Sequence, residues 1–121
     1  MQLNTKLNAS ITAVGGYVPE HRLSNKNLEQ IVDTNDEWIQ SRTGIKERRI
    51  LKDPSKATSF LAIQASKNLI SKNNIDPLTI DMVIVATTTP DMQIAATAAY
   101  VASQIGSYNA FGYDLQAACS G

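Results

Sequence analysis

The chain has 121 residues, 43% hydrophobic and 18% charged, and its eleven basic side chains balance eleven acidic ones. That length can bury a core, and the zero net charge removes the electrostatic grounds for expecting nucleic acid or an anionic membrane as partner. No stretch reaches the length of a membrane span, one cysteine excludes an internal disulfide, and one histidine among scattered acids makes no zinc spacing. Residues 1–6 hold no continuous apolar run, so no secretory leader is expected, and with the lone thiol this fits the cytosol.

Residues 9–14 read as a short strand, ended by Gly15-Gly16 and Pro19. Ser24 is placed to cap a helix over residues 25–32, which sets Leu28, Ile31 and Val32 on one face. A second helix follows at once: Asn35 caps it, Asp36 and Glu37 suit its positive end, Arg42 suits its negative end, and Gly44 stops it. It carries Trp38, the only tryptophan. Lys46-Glu47-Arg48-Arg49 reads as a solvated charged loop running to Asp53-Pro54, its two arginines secondary candidates for phosphate contact, and His21 reads as a loop residue.

Residues 58–72 are expected to form an amphipathic helix, with Ala57, Leu61, Ala65 and Leu69 spaced by four and a break at Asn73-Asn74 and Asp76-Pro77. Met82-Val83-Ile84-Val85-Ala86 lacks polar alternation, which predicts a strand covered on both faces in a parallel sheet. Thr87-Thr88-Thr89-Pro90-Asp91 is the loop at its carboxyl end; residues 95–105 predict an alanine-rich helix stopped by Gly106, and residues 111–116 a further strand. Strands alternating with helices predict an α/β layer architecture with a mainly parallel sheet and right-handed crossovers. Ligands gather beyond the carboxyl ends of such strands, where the 87–91 loop lies. Residues 1–121 read as one unit without repeat, low-complexity tract or linker.

The last eight residues, Asp114-Leu115-Gln116-Ala117-Ala118-Cys119-Ser120-Gly121, hold the only cysteine among small neighbours. Small flanking groups let a strand turn sharply into a helix with the sulfur at the helix N-terminus. Unpaired N–H groups and the positive helix end favour a thiolate there, in the geometry of a nucleophile elbow. The competing reading is a small buried thiol filling a strand end.

Several segments together resemble the β-ketoacyl-acyl carrier protein synthase III family of the thiolase superfamily. They are Gly15-Gly16-Tyr17-Val18-Pro19, Val32-Asp33-Thr34-Asn35-Asp36-Glu37-Trp38-Ile39, Arg42-Thr43-Gly44-Ile45, Glu47-Arg48-Arg49, Val85-Ala86-Thr87-Thr88-Thr89-Pro90-Asp91 and the end of the chain from Asp114. The resemblance implies a thiolase-like layered α-β-α fold, of which this chain is the N-terminal portion, ending just after the nucleophile. The reaction it implies is a decarboxylating Claisen condensation. A short acyl group passes from acyl-CoA to Cys119, and a carbanion from malonyl-acyl carrier protein attacks the resulting thioester. Cys119 then matches the acylated nucleophile, and its own N–H lines an oxyanion hole.

The resemblance also implies that Trp38 stacks on the adenine of CoA, with Thr34 and Arg42 contacting the same nucleotide end. Trp38 and Arg42 are four apart, on one helical face. Read without the family, Trp38 caps the core and Arg42 serves the helix dipole. The implied parent is a cytoplasmic homodimer whose partners are acyl-CoA and malonyl-acyl carrier protein. Acyl-CoA is its substrate, and no metal or bound cofactor is called for. Where relatives commonly carry an aromatic residue and then Pro-Ser-Thr, this chain has Ile94-Ala95-Ala96-Thr97. Ile94 is therefore the candidate acyl-pocket and dimer-interface residue, and acyl-chain preference stays open. The family's catalytic histidine and asparagine belong to a second half of the fold outside these residues. Two alternatives stand beside this reading: a relative using a longer or different acyl donor in secondary metabolism, and a non-catalytic acyl-CoA-binding or dimerisation module.

Overall fold

The computed structural model describes residues 9–121, and the 1–6 segment read above as carrying no leader lies outside them. The elements form two groups with different cements. The first begins with β1 (Arg22–Ser24), whose last residue caps α1 (Asn25–Leu28). The Ser24 hydroxyl accepts from the Asn27 amide at 3.2 Å, and the Asn27 side chain reaches back to the Ser24 amide at 3.1 Å, a reciprocal capping box. The helix expected over residues 25–32 is only this one turn. Its continuation would have needed an apolar face to bury, and Ile31 and Val32 are exposed. The chain turns instead, so that the Glu29 carboxylate accepts from the Asp36 amide at 2.8 Å.

Helix α2 (Asp36–Thr43) forms where its signals placed it. The Asn35 side chain accepts from the Trp38 amide at 2.8 Å, and Gly44 closes the helix in a left-handed conformation with φ 70°. The charged stretch after it is a strand and not a loop: β2 (Glu47–Arg49) pairs antiparallel with β1, setting Arg22 opposite Arg49 and Ser24 opposite Glu47. Its charges have partners, which is why the stretch is ordered. Glu47 accepts from Arg22 at 2.7 Å, Arg48 donates to the side-chain oxygen of Asn25, and Arg49 donates to the Pro19 carbonyl at 2.8 Å.

The strand expected over residues 9–14 is absent. Ile11 and Val14 are exposed there, and the segment has no ladder partner among the described residues. The chain touches the second group just beyond. The Gly16 amide donates to Asn68 at 3.3 Å, and the Tyr17 ring meets Phe60 edge-on at 5.8 Å between centroids.

The second group comprises α3 (Thr58–Asn73), β3 (Met82–Ala86), α4 (Thr97–Ile105) and β4 (Phe111–Leu115). Strands β3 and β4 pair in parallel with Met82 opposite Phe111 and Ala86 opposite Leu115, as the α/β reading requires. Helix α4 lies on one face of this pair and α3 on α4, around a core of Ile63, Val85, Ala98, Val101 and Ile105. Two expectations are corrected here. The strand is covered on one face only, because Val83 and Val85 point to α4 while Met82 and Ile84 are exposed. The stripe of α3 that meets the core runs through Ser59, Ala62, Ile63 and Ile70, whereas Leu69 of the expected stripe faces Gly15.

Backbones come closest where α4 crosses β4. A Cβ at Gly112 would lie 2.9 Å from the backbone of Ala98 and Ala99, so a residue without a side chain is what lets the helix start against the strand. Asp114, two residues on and on the same face, then accepts from the Thr97 amide through one oxygen and the Ala98 amide through the other, both at 2.8 Å. Burial pushes this carboxyl up, but the Ala98 and Thr97 N–H groups and the Thr97 hydroxyl outweigh it and hold it below the ordinary carboxylate range.

Candidate functional site

Two stations carry the residues singled out in the sequence. Cys119 follows β4 in a three-residue 3₁₀ turn, Ala118–Ser120, and its thiol is exposed among the described residues. The helix start expected at the sulfur calls for residues after Gly121, and within 118–120 the backbone already winds in a helical sense. Within these residues the Ser120 and Gly121 amides fold back onto the Ala117 and Ala118 carbonyls at 2.9 and 3.2 Å. Ala118, immediately before the sulfur, has φ 46°, a left-handed conformation rare for a residue with a Cβ. Beside the cysteine opens a hollow of about 440 Å³ lined by Ala86, Thr87, Thr88, Ala118 and Cys119. It lies beyond the carboxyl ends of both parallel strands, where α/β sheets collect ligands. An exposed thiol there is accessible to an electrophile as large as a thioester.

The second station is on α2. Thr34 and Trp38, with Asp33 and Asn35, line a shallow hollow of about 220 Å³. Trp38 is 53% exposed, so it does not cap a core. The Arg42 guanidinium lies over its ring, 5.0 Å from the centroid, a cation–π contact across one helical turn. A half-exposed indole next to polar groups suits a planar aromatic ligand.

What aims α2 is Asn25, 1% exposed and saturated with partners. Its side-chain N–H₂ donates to Asp36 and to the Ile45 carbonyl, both at 2.7 Å, its side-chain oxygen accepts from Arg48, and its amide donates to the Lys46 carbonyl at 3.1 Å. The bond from Asn25, then that from Gln40 at 2.7 Å, holds the Asp36 carboxyl below its ordinary range; burial opposes this, and Lys26 and Lys46 add to it. Arg48 and Arg49 thus each serve the fold, Arg48 through Asn25 and Arg49 through the Pro19 carbonyl.

Thr34, Trp38 and Arg42 therefore come together. Cys119 stands in a separate hollow with Thr87 and Thr88. Ile94 joins neither: it is 100% exposed in the loop before α4. His21 precedes β1, where its carbonyl accepts from Ile50 at 3.0 Å. Sequence reasoning missed Asn25, Asp91 and Asp114. Asp114 had left a signal, because an acid on the inward face of a strand needs donors. Among the described residues, no three His, Cys, Asp or Glu side chains gather as metal ligands, and no helix is long and apolar enough to cross a membrane.

These parts define the N-terminal elements of a thiolase-like condensing-enzyme fold. The crystal structure of 3-oxoacyl-[acyl-carrier-protein] synthase III from Aquifex aeolicus matches with a TM-score of 0.83 at 43% identity, over 90% of this chain and 35% of that one. The priming β-ketosynthase of the R1128 polyketide pathway matches with a TM-score of 0.80 at 35% identity, over 87% of this chain and 31% of that one. In sequence, the β-ketoacyl-[acyl-carrier-protein] synthase III of Porphyromonas gingivalis is 53% identical over 114 residues, 94% of this chain and 34% of the relative. The chain belongs to the β-ketoacyl-[acyl-carrier-protein] synthase III family, and it spans about a third of the length of the curated relatives it matches. No protein-family model matches it.

Proposed function

We propose that this chain supplies the nucleophile and the CoA-reading face of a condensing enzyme that starts fatty acid synthesis. The carrying observation is the exposed Cys119 in an open hollow at the carboxyl ends of a parallel strand pair. In this reading the Cys119 thiolate attacks the carbonyl of a short acyl-CoA, acetyl-CoA first among them. The C–S bond to CoA breaks, CoA leaves as its thiolate, and an acyl-cysteine remains. Malonyl-acyl carrier protein then loses carbon dioxide, its carbanion attacks the acyl-cysteine, and the new carbon–carbon bond expels the Cys119 thiolate. The histidine and asparagine that the family uses for decarboxylation match no position of this chain, so that step is assigned to none of its residues.

Trp38 stacks on the adenine of CoA in this proposal, with Thr34 and Arg42 on the same nucleotide end. Their convergence on one face of α2 and its approach supports it. Ile94, fully exposed before α4, is proposed as a dimer-interface residue reaching the acyl pocket of a second subunit. The protein is read as a cytoplasmic homodimer, with acyl-CoA as substrate and no bound cofactor or metal. A second reading, a different acyl donor in secondary metabolism, is favoured by aliphatic Ile94 and by the likeness to a polyketide priming β-ketosynthase.

The test is to incubate the intact protein with acetyl-CoA and locate the acyl group by peptide mass spectrometry. The expected adduct is on Cys119, and Cys119→Ser abolishes it. A folded sample with no adduct removes the proposal. A panel of longer and branched acyl-CoAs separates the two readings by which acyl group loads fastest.

A further inference from the structure

Thr87 and Thr88 form one wall of the hollow in front of Cys119. What holds that wall is a chain of hydrogen bonds to helices distant in sequence. The Thr87 amide extends the pairing of β3 and β4, donating to the Leu115 carbonyl at 3.1 Å. Its hydroxyl accepts from the Thr89 amide at 3.0 Å and lies 3.3 Å from the Thr89 hydroxyl. Thr58, the first residue of α3, donates its hydroxyl to the Thr89 carbonyl at 2.6 Å. Two residues further, the Asp91 carboxylate accepts from the Ser59 amide at 2.8 Å through one oxygen and from the Ser59 hydroxyl through the other. The Asp91 amide donates in turn to the Thr97 hydroxyl at 3.3 Å, at the start of α4.

Charge-assisted bonds of this kind are about twice as strong as neutral ones, and the carboxylate also complements the positive end of α3. Ser59 is buried, so the anchor does not have to compete with bulk water at that end. We infer that Asp91 is a positioning residue for acyl loading: by tying residues 87–91 to the first turns of α3 and α4, it sets the distance between the Thr87–Thr88 wall and the sulfur. An acyl thioester has to seat against that wall to present its carbonyl, whereas a small alkylating reagent needs only an accessible sulfur. The inference rests on Cys119 being the acylated nucleophile.

The experiment compares the intact protein with Asp91→Asn and with Thr89→Val, a near-isosteric change that removes the hydroxyl contacts of the same loop. Two rates are read at Cys119: loading from acetyl-CoA by mass spectrometry, and alkylation by iodoacetamide. Misplacing a reacting group by a fraction of an ångström slows chemistry more than binding, so Asp91→Asn is expected to slow saturated loading about tenfold with a smaller change in KM. Thr89→Val slows it several-fold, and the alkylation rate stays within about twofold in both. Equal falls in both rates, or loading unchanged, overturn the inference and leave the role of Cys119 standing. No acetyl adduct on the folded, unmutated protein overturns that role and the inference with it. Should Asp91→Asn fail to fold, the same two rates in Thr89→Val decide the matter.

Discussion

The two groups of elements are built on opposite principles. Around α1, α2 and the β1–β2 pair, the most buried side chain is an amide, Asn25, and among the described residues Ile39 is the only buried apolar side chain. Around β3, α4 and β4 the centre is hydrocarbon, with Val85, Ala98, Val101 and Ile105 packed on Ile63 of α3, and the buried polar side chains Ser59 and Thr97 sit at the helix starts where Asp91 and Asp114 bind them. Hydrogen bonds are directional, so the first group specifies an orientation, that of the helix face bearing Trp38 and Arg42. Hydrocarbon packing is non-directional but dense, so the second holds a strand end, and the sulfur beyond it, against displacement.

The sharpest way to break that contrast is to damage each group in its own terms. Ile63→Ala leaves a hole in the hydrocarbon core and is expected to cost about 2–5 kcal/mol in denaturant unfolding. Asn25→Leu strands the Arg48 guanidinium and the Asp36 carboxylate and is expected to cost about 3 kcal/mol. Only Asn25→Leu should also change Trp38 fluorescence in the folded protein; an equal spectral change in both variants would erase the distinction between the groups.

Trp38→Ala comes next in size. Loss of a stacking face is worth about 1–3 kcal/mol, so CoA-ester affinity should fall about five- to 150-fold by calorimetry. Loading of Cys119 by small activated thioesters should stay nearly constant, because that sulfur is in the other group. An unchanged CoA dependence would remove Trp38 from the nucleotide site.

Acid addresses the carboxylates. Asp36 and Asp114 both have folded pKa values below their unfolded ones, and Asp53 is drawn down to about 2 by the Ser55 hydroxyl and amide and by Lys56. A depressed carboxylate contributes stability above its unfolded pKa of about 4, and that contribution is lost as pH falls through the folded value. Thermal unfolding should therefore soften between about pH 4 and pH 2, and Asp114→Asn should flatten that decline while lowering stability at neutral pH. The smallest effect is expected from Arg22→Ala, since an exposed pair such as Arg22–Glu47 is worth at most about 1 kcal/mol.

Legibility in the sequence cut across that division and followed the distance between partners along the chain. Helices with both end signals, such as Asn35 and Gly44 around α2, appeared where expected, because caps act within a few residues. The parallel pair was readable from its β-branched run, and Cys119 and Trp38 stood out as single occurrences with telling neighbours. What escaped depended on partners far along the chain. Arg48 looked solvated until Asn25 was found to accept from it, and residues 9–14 looked like a strand although no neighbour completes a ladder. Asp91 and Asp114 gave no hint of which helix each would cap, since that is decided by how α3 and α4 stack.

The contact at Gly112 gives the second group a mechanical property. With the first turn of α4 pressed on bare backbone and gripped from the same strand by Asp114, helix and strand move as one solid piece. Anything that tilts α4 at its outer surface, whether a bound molecule or a bulkier residue at Tyr100, is transmitted down the strand to the cysteine instead of being absorbed between them.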